Sequence, residues 1–380
     1  MEVPCIDLAA AYQGLKAELD EAVARVMASG IYVLGENLAA FEQEFAGWIG
    51  TAAAVATGSG TDAIYLTLKA LGIGAGDEVI TVSHTAVNTA MAIVKAGATP
   101  VFIDIDPETY CMEPALLKAA LTGRTRAVMP VHLYGHPVDM EPVMEFAAGR
   151  GLAVIEDCAQ AHGATCRGRT VGTFGVAGCF SFYPTKNLGA CGDGGAVVTA
   201  DAELAARIRS LANCGQGSER YLNIYRGDVS RLDELQAAML RVRLRHLHEF
   251  NHRRREIADY YEQALVAAGL TPAVRSAGDG LAAGIVPPAE RDWARHVYHL
   301  YVIRSKERDR LRAHLEAAGV RTMVHYPRPA HRQPAFAGLL RAPLPVTEQV
   351  VSEILSLPLY PELDDARLEQ VARALKSFAA

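Results

Sequence analysis

One lysine in this chain stands out by its surroundings. The sequence holds 30 arginines and only 7 lysines, and Lys186 is the only lysine between Lys118 and Lys306. It follows the stretch Ser181–Pro184 and precedes the glycine-rich stretch Gly189–Gly195. An amine that is kept from water loses proton affinity, becomes nucleophilic and can form a Schiff base with an aldehyde. The alternative is an ordinary surface lysine in a loop, which the preference for arginine elsewhere disfavours.

An acidic pair, Glu156 and Asp157, ends the apolar run Leu152–Ile155. The run is typical of a buried strand, and ligands of open α/β sheets bind at the carboxyl ends of the strands. At that place Asp157 could hold a protonated ring nitrogen. A helix cap or a turn acid is the alternative explanation.

A segment of small residues, Thr57–Ala63, lies between a predicted strand and a predicted helix. Small residues let the backbone approach a ligand closely, and the free N–H groups of a helix start attract an anion. The segment also matches the Gly-x-Gly-x-x-Ala fingerprint of dinucleotide-binding folds, which needs an acidic residue at the end of the next strand, about 20 residues on. The next strand, Glu78–Val82, is followed by Ser83 and His84 instead. We therefore expect a phosphate site rather than a hydride-transfer cofactor, with a plain structural turn as the remaining alternative.

Together the three segments fit one small molecule, pyridoxal 5′-phosphate (PLP). PLP carries an aldehyde for a lysine, a pyridine nitrogen for an acid and a phosphate for an anion site. The sequence therefore predicts a PLP site formed by Lys186, Asp157 and Thr57–Ala63. It predicts no metal site.

The elements that must position these residues follow from the pattern of apolar residues. From about residue 51 to residue 200, short continuously apolar runs alternate with amphipathic stretches of helical length. This pattern predicts βαβ units and an α/β fold with a mostly parallel sheet that is covered by helices on both faces. Two more apolar runs, Gly178–Phe182 and Ala196–Thr199, flank Lys186 and could form a hairpin-like pair. Before residue 51 we expect two helices, at about Leu15–Ser29 and Glu36–Ile49.

A long helical pattern from Arg231 to about Leu265 leads into the second part of the chain. Beyond a loose small-residue segment at 276–284, helices near Asp309–Ala318 and from about Asp364 predict a smaller α+β domain. We place a large PLP-binding domain with an N-terminal arm at 1–245 and a small C-terminal domain at 246–380.

Composition and charge argue against several other classes of protein. The net charge of −6 disfavours a protein whose main role is to coat nucleic acid. The arginines of Arg241–Arg255 are better explained by a solvated or interface helix. The apolar stretches are too short to span a membrane and the first residues lack a signal peptide, so we expect a cytoplasmic protein. Seven cysteines without a C-x-x-C pair favour buried, reduced thiols over a disulfide framework or a zinc site.

The chain also resembles a known family over nearly its whole length: the sugar-nucleotide aminotransferases of the DegT type, within the fold-type I PLP enzymes. The segments that carry the resemblance are Ser29-Gly30-x-Tyr32-x-x-Gly35, Phe41-Glu42, Gly58–Ala63, Glu156–Gly163, Ser181–Lys186, Gly192–Gly195, Arg231–Ala238, His296–Leu300, His325-Tyr326-Pro327 and Ser356-Leu357-Pro358.

The resemblance implies roles for individual residues. Lys186 would form the Schiff base and move the proton between substrate and cofactor. Asp157 would pair with the pyridinium nitrogen, and Gln160 would lie near the phenolic oxygen. The residues expected at the phosphate are Ser59, Gly60, Thr61 and Ser181.

Members of the family are homodimers whose active site lies at the subunit interface, where the segment before Arg231 reaches the cofactor of the partner. Relatives often read Gly-x-Asn-x-Arg there, but this chain has Val229 in place of the asparagine. Its phosphate contact would be lost or replaced by Ser230 or Arg231. Many relatives stack an aromatic ring on the cofactor at the position of Ala86, so His84 or another residue would cover that face here.

The activity implied is transfer of an amino group from glutamate to a nucleotide-linked keto-deoxyhexose. The sequence His84-Thr85-Ala86, together with the segment Arg231–Ala238, resembles the corresponding segments of members that aminate C3 of dTDP-linked sugars. Weaker candidates for substrate contacts are Tyr32, Tyr183, His325 and Tyr326. Two alternatives stay open: a related sugar dehydratase, which has histidine where this chain has Lys186, and a non-catalytic regulator on the same scaffold.

Overall fold

The computed structural model describes residues 2–219, 221–270 and 284–378. Apart from Gly284, the predicted loose segment at 276–284 lies outside the described residues. The helices are α1 (Leu8–Gly14), α2 (Lys16–Ser29), α3 (Glu36–Ile49), α4 (Gly60–Ala70), α5 (Asn88–Lys95), α6 (Leu117–Ala120), α7 (Met140–Ala148), α8 (Ala202–Ala212), α9 (Glu234–Ala267), α10 (Arg308–Ala317), α11 (Pro345–Glu353) and α12 (Asp365–Phe378). The strands are β1 (Ala53–Thr57), β2 (Glu78–Val82), β3 (Thr99–Ile103), β4 (Thr125–Val128), β5 (Ala153–Asp157), β6 (Thr165–Cys166), β7 (Arg169–Thr170), β8 (Ala177–Ser181), β9 (Gly195–Thr199), β10 (Ala294–Arg295), β11 (Tyr301–Arg304) and β12 (Ile354–Leu357).

A seven-stranded sheet in the order β1-β9-β8-β5-β4-β2-β3 forms the centre of the fold. Strand β9 runs antiparallel to both of its neighbours, and the other neighbouring strands are parallel. The prediction of a mostly parallel sheet is confirmed, and so is the antiparallel pair, β8 and β9, on either side of Lys186. Because the loop between β8 and β9 returns to the same edge of the sheet, it holds Lys186 close to the end of β5.

Both faces of the sheet are buried. In β9, Val197 packs into one core while its neighbours Ala196 and Val198 pack into the other, since successive side chains of a strand point to opposite faces. Helices α3 and α9 cover one face, and α4 and α8 cover the other. This two-sided burial explains why the strands appear in the sequence as continuously apolar runs.

Helix α9 connects the sheet to a second core. Leu240, Leu244 and Leu247 pack against the sheet, whereas Ile257 and Tyr261 pack in a core formed with β11, β12, α10 and α12. The antiparallel pair of β11 and β12 and these helices form the α+β part of the chain. The predicted domain boundary at 245/246 falls inside this single helix, and the division into two domains stays a prediction.

The N-terminus of α3 is capped by a side chain from α9. The buried carboxylate of Glu234 accepts hydrogen bonds from the N–H groups of Gly35, Asn37 and Leu38, each at 2.9 Å. A Cβ atom at Gly35 would lie 2.8 Å from Cδ of Glu234. Because a helix start leaves its first N–H groups without partners, this carboxylate fixes the N-terminal arm onto α9.

The arginines of α9 are largely paired with acidic side chains. The ion pairs are Arg241–Glu44, Arg245–Glu18, Arg253–Glu256 and Arg255–Glu290. The buried Arg254 donates to the carbonyl oxygens of Tyr298, His299 and Leu359. These contacts engage the named arginines of α9 and attach the helix to its neighbours. The named arginines therefore do not form an unpaired basic surface.

None of the described helices combines the length and the apolar character needed to cross a membrane. All seven cysteines are free thiols. Cys111, Cys158, Cys166 and Cys179 are buried, but Cys191 and Cys214 are exposed, which differs from the expectation of buried thiols throughout.

Candidate active site

A cavity of about 500 Å³ lies at the carboxyl ends of β5 and β8. All three segments predicted from the sequence line it: Gly60 and Thr61 at the start of α4, Asp157 at the end of β5, and Lys186 in the loop after β8. The opposite wall comes from the C-terminal part of the chain and includes His325. The fold therefore brings Gly60 and His325, which are 265 positions apart in the chain, to the same cavity.

Lys186 lines the cavity, and its amine makes no hydrogen bond or ion pair within the described part of the chain. Removal from water lowers the pKa of Lys186 from 10.5 to about 8, although the negative charge of Asp157 acts in the opposite direction. Burial thus dominates over attraction to the carboxylate. With this pKa about a tenth of the amine is neutral at pH 7, and this neutral fraction can act as a nucleophile or a base.

Asp157 is buried at the end of β5. One carboxylate oxygen accepts the hydroxyl proton of Thr89 at 2.8 Å, and the other accepts the N–H of Ala159 at 3.1 Å. Burial raises the pKa of Asp157 despite these two hydrogen bonds and the positive charge of Lys186, which act to lower it. A cationic group bound in the cavity would favour the ionised carboxylate, because an opposite charge stabilises the charged form.

The start of α4 presents backbone N–H groups to the cavity. Ser59 caps the helix, and its hydroxyl oxygen accepts the N–H of Asp62 at 3.1 Å. In the described part of the chain, the N–H groups of Gly60 and Thr61 have no acceptor. A Cβ atom at Gly60 would lie 2.7 Å from Cβ of Ser181, so only glycine fits against β8 at this position. The site can receive a phosphate at close range.

The remaining sequence-predicted residues divide into two groups. Tyr183, His325 and Tyr326 line the cavity. Tyr32 and Gln160 are not part of its lining; Tyr32 is 46% exposed on the N-terminal arm. The amide of Gln160 is bonded to the N–H of Tyr134 at 2.7 Å and to the hydroxyl of Tyr326 at 2.9 Å.

The segment before α9 does not reach the cavity of its own chain. The guanidinium of Arg231 donates to Oδ1 of Asn213 at 2.9 Å. The hydroxyl of Ser230 donates to Asp62 and accepts the N–H of Gly58, both at 3.0 Å, so it ties this segment to the start of α4. Val229 is 70% exposed.

Ala86 lines the cavity, but His84 does not cover it. His84 is fully buried, and its Nε2 atom lies 2.8 Å from the hydroxyl of Tyr134. Burial lowers the pKa of His84 to about 3, so the ring is neutral. The face above Ala86 is therefore not covered by this histidine.

Sequence reasoning missed several residues of the site. Thr89 binds the carboxylate of Asp157, and Asn88 donates to the hydroxyl of Thr61 at 2.9 Å. Cys5 and Ile6 line the cavity because Val3 pairs with the strand-like segment at Val320. A threonine or an isoleucine carries no chemical signature, so no signal in the sequence marked these positions.

A buried group formed by His132, Glu156 and Cys158 has the composition of a metal site. The carboxylate of Glu156 accepts the N–H groups of Gly172, Phe174 and Gly175. Nδ1 of His132 accepts the N–H of Val138, so its Nε2 carries the proton and donates to Glu156. The histidine lone pair and both carboxylate oxygens are thus used within the protein, and the group supports the loop after β5.

The cavity fits PLP by the chemistry of its donors. The two unpaired N–H groups at Gly60 and Thr61 suit the phosphate, and the absence of a Cβ at Gly60 lets this helix start lie directly against Ser181. The Asp157 carboxylate suits the pyridine nitrogen, and the amine of Lys186 suits the aldehyde.

The chain matches known proteins along its whole length. The model of the DegT/DnrJ/EryC1/StrS aminotransferase family matches residues 13–376. The erythromycin biosynthesis sensory transduction protein EryC1 of Saccharopolyspora erythraea is 46% identical, with 100% of both chains covered. The dTDP-3-amino-3,4,6-trideoxy-alpha-D-glucose transaminase of Streptomyces venezuelae is also 46% identical, with 99% of this chain and 96% of the relative covered.

The fold matches a solved structure equally well. The crystal structure of S. venezuelae DesV in complex with a ketimine intermediate has a TM-score of 0.93. It is 46% identical and covers 100% of this chain and 98% of its own.

Proposed function

Because the chain belongs to the DegT/DnrJ/EryC1/StrS aminotransferase family, we propose that it transfers the amino group of glutamate to the C3 keto group of a dTDP-linked keto-deoxyhexose. The protein is an aminotransferase, and its cofactor is PLP. The glutamate donor, the nucleotide and the aminated carbon are parts of the proposal. In the overall reaction the keto oxygen is replaced by an amino group, and glutamate becomes 2-oxoglutarate.

One observation carries the proposal: a lysine of lowered pKa, a buried carboxylate and an unpaired helix N-terminus line the same cavity. When bound, PLP supplies an aldehyde for amines and a ring that accepts electrons from a neighbouring carbon. Each of its three chemical groups has a matching protein group, so the residues work as one site rather than as three separate features.

Lys186 is proposed as the residue that moves the proton. With a pKa of about 8, its amine can accept a proton from carbon at neutral pH and return it later. An amine with the ordinary value of 10.5 would be almost fully protonated and a poor base. The burial that lowers this pKa is therefore part of the function.

Asp157 is proposed to hold the ring nitrogen in its protonated form. The hydrogen bonds from Thr89 and Ala159 fix the orientation of the carboxylate. Since burial raises the pKa of Asp157, a cation bound beside it would favour the ionised carboxylate.

The cavity also supports a homodimer with a shared active site. Among the described residues that line it, Lys186 is the only lysine or arginine, and burial keeps His299 and His325 neutral by lowering the pKa of each. Glutamate and a nucleoside diphosphate both carry several negative charges, so further cations must come from outside this chain's cavity.

The surface of the chain offers a place for the second copy. The segment before Arg231 exposes apolar side chains, namely Tyr221 (81%), Ile224 (55%) and Val229 (70%). A further cavity of about 1080 Å³ beside this segment is lined by Leu34, Tyr225 and Arg231. Exposed apolar residues around a groove are typical of a protein interface. We also place the enzyme in the cytoplasm, which its free thiols support.

A non-catalytic regulator is the second candidate, because the relative from S. erythraea is named a sensory transduction protein. The complete set of Lys186, Asp157 and the anion site speaks against it, since a regulator needs no amine of lowered pKa. A sugar dehydratase is disfavoured because Lys186 is present where those enzymes have histidine.

Product analysis tests the proposal. The enzyme is loaded with PLP and incubated with glutamate and a panel of keto-sugar nucleotides, and the products are identified by mass spectrometry and NMR. We expect one molecule of 2-oxoglutarate for each aminated sugar. A deoxygenated sugar without new nitrogen would indicate the dehydratase, and the absence of turnover with every substrate would favour the regulator.

A further inference from the structure

The chain fixes the direction of the hydrogen bond between Gln160 and Tyr326. The amide oxygen and nitrogen of a glutamine look alike, but the backbone N–H of Tyr134 can only donate. The atom that faces it at 2.7 Å is therefore Oε1 of Gln160. The other amide atom, Nε2, then donates to the hydroxyl oxygen of Tyr326 at 2.9 Å.

As a result, the hydroxyl proton of Tyr326 is available to an acceptor that the described residues do not supply. The oxygen of Tyr326 already accepts from Gln160, and no acceptor for its proton exists among residues 2–219, 221–270 and 284–378. Tyr326 lines the cavity. Burial raises the pKa of Tyr326 to about 12, so the hydroxyl keeps its proton at neutral pH.

Tyr134 also holds the backbone next to Tyr326. Its hydroxyl donates to the carbonyl oxygen of His325, because a carbonyl can only accept. The contact to His84 is then donated by Nε2 of that ring, whose Nδ1 has no partner in the described part of the chain. One buried tyrosine thus fixes both residues of the His325–Tyr326 segment, at His325 directly and at Tyr326 through Gln160.

The wall around Tyr326 offers no other donor of fixed direction. Its apolar members are Leu300, Met323, Leu357 and Leu359. Nδ1 of His299 faces Oδ1 of Asn187, whose amide nitrogen donates to Asn251 and Val297. His299 therefore donates from Nδ1 and leaves Nε2 as an acceptor.

We propose that Gln160 is a positioning residue that presents Tyr326 as a hydrogen-bond donor to an oxygen of the keto sugar, at the carbonyl or the hydroxyl beside it. This inference rests on the proposed function. The cofactor has its proposed partners on the sheet side of the cavity, whereas Tyr326 belongs to the opposite wall, where its hydroxyl is a donor whose direction the protein fixes. Leaving the oxygen of the keto sugar unpaired would weaken binding or catalysis.

The first test is Tyr326→Phe in the PLP-loaded enzyme, with each half-reaction followed separately by rapid-mixing absorbance. We expect the second-order rate constant of the keto-sugar half-reaction to fall about tenfold more than the second-order rate constant of the glutamate half-reaction. The matched control is Tyr360→Phe, since Tyr360 is buried outside the cavity and its hydroxyl has no partner among the described residues. Equal losses in the two half-reactions would overturn the proposal.

The second test is Gln160→Glu, which reverses the hydrogen bond. A carboxylate accepts from both Tyr134 and Tyr326, so it turns the tyrosine proton away from the cavity. A protonated carboxyl can donate to Tyr326 again, and burial raises the pKa of such a group into the accessible range. We expect the keto-sugar kcat/KM of Gln160→Glu, divided by that of the wild type, to rise about fivefold or more as the pH falls from about 8.5 to about 5.5.

The outcomes separate the inference from the function. If the ratio of kcat/KM between Gln160→Glu and the wild type does not change with pH, Gln160 does not position Tyr326. Gln13→Glu adds the same charge at an exposed site and serves as the control. Tyr326→Phe could instead shift the pH midpoint of the cofactor's visible absorption and leave the rate constant of the keto-sugar half-reaction unchanged. That result would place the acceptor of the tyrosine proton on the cofactor, and it would overturn the assignment to substrate. If the wild type aminates no sugar, the proposed function itself fails.

Discussion

Lys186 and Asp157 line one cavity, and the charge of each acts on the pKa of the other. Burial has the larger effect on both: it lowers the pKa of the amine and raises that of the carboxyl. The protein therefore holds this pair ready for a ligand that brings a positively charged nitrogen to Asp157 and an electrophilic carbon to Lys186.

Replacing the lysine should abolish turnover. In Lys186→Ala no amine is left to bind the aldehyde or to move the proton, and we expect kcat to fall by about 1,000-fold or more. The visible absorption of the lysine-bound cofactor should disappear. Lys306→Ala, at an exposed lysine, serves as the control and should keep both the turnover and the visible absorption of the wild type. Turnover by Lys186→Ala near the wild-type rate would contradict the assignment.

Cofactor capture by the apoenzyme should follow the titration of Lys186. Only the neutral amine attacks an aldehyde, so below pH 8 the capture rate constant should rise about tenfold per pH unit and then level off near the pKa of about 8. The negative charge of Asp157 raises the pKa of Lys186, so Asp157→Asn should move the midpoint to lower pH. Stopped-flow absorbance over a pH series measures both curves. A midpoint near 10.5 in the wild type would show that Lys186 is exposed to water.

Closing the anion site should weaken cofactor binding. In Gly60→Ala the added Cβ would lie 2.7 Å from Cβ of Ser181, and we expect the dissociation constant of PLP to rise about tenfold. Gly14→Ala is the matched control, because a Cβ at Gly14 meets nothing within 4 Å. Fluorescence titration of apoenzyme with PLP gives both constants, and equal affinities would argue against a phosphate at this helix start.

An asparagine at position 229 should strengthen cofactor binding in the dimer. Val229 is 70% exposed, and an amide there could donate to the phosphate held by the partner subunit. One added hydrogen bond to a charged group predicts a gain of about tenfold in PLP affinity for Val229→Asn. Val229→Leu, which adds no donor, should not change it. Sedimentation analysis run in parallel establishes the dimer, and a monomer would rule out this contact.

The cap from α9 to α3 should be a major source of stability. Glu234→Ala leaves the N–H groups of Gly35, Asn37 and Leu38 without their acceptor, and we expect the free energy of unfolding to fall by about 2–4 kcal/mol. Glu249→Ala lies on the same helix, where Glu249 is 81% exposed, and should have little effect. Urea denaturation of both variants measures the difference.

Much of the fold was predictable because local patterns and tertiary packing agree. The sequence placed helices at about Leu15–Ser29 and Glu36–Ile49, and the structure has them at Lys16–Ser29 and Glu36–Ile49. The segment that contains Gly35 and the segment that contains Glu234 were each recognised as parts of a family pattern. Their physical connection, a carboxylate over a helix start, was not visible until the two segments were placed side by side.

The sequence by itself determined which chemistry the chain can perform. A single lysine among glycines, an acid at the end of an apolar run and a small-residue helix start are local features, and each can be recognised without knowing its neighbours in space. Their types alone indicated an aldehyde, a ring nitrogen and a phosphate.

Only the tertiary structure decided how these groups are tuned and oriented. The pKa of Lys186 depends on burial, which is set by distant parts of the chain, and the direction of the Tyr326 hydroxyl depends on Gln160 and Tyr134, which lie 166 and 192 positions away. The exclusion of Arg231 and His84 from the cavity likewise follows from contacts made elsewhere. Desolvation and hydrogen-bond direction are properties of the packed surroundings of a residue, and no local stretch of sequence carries them.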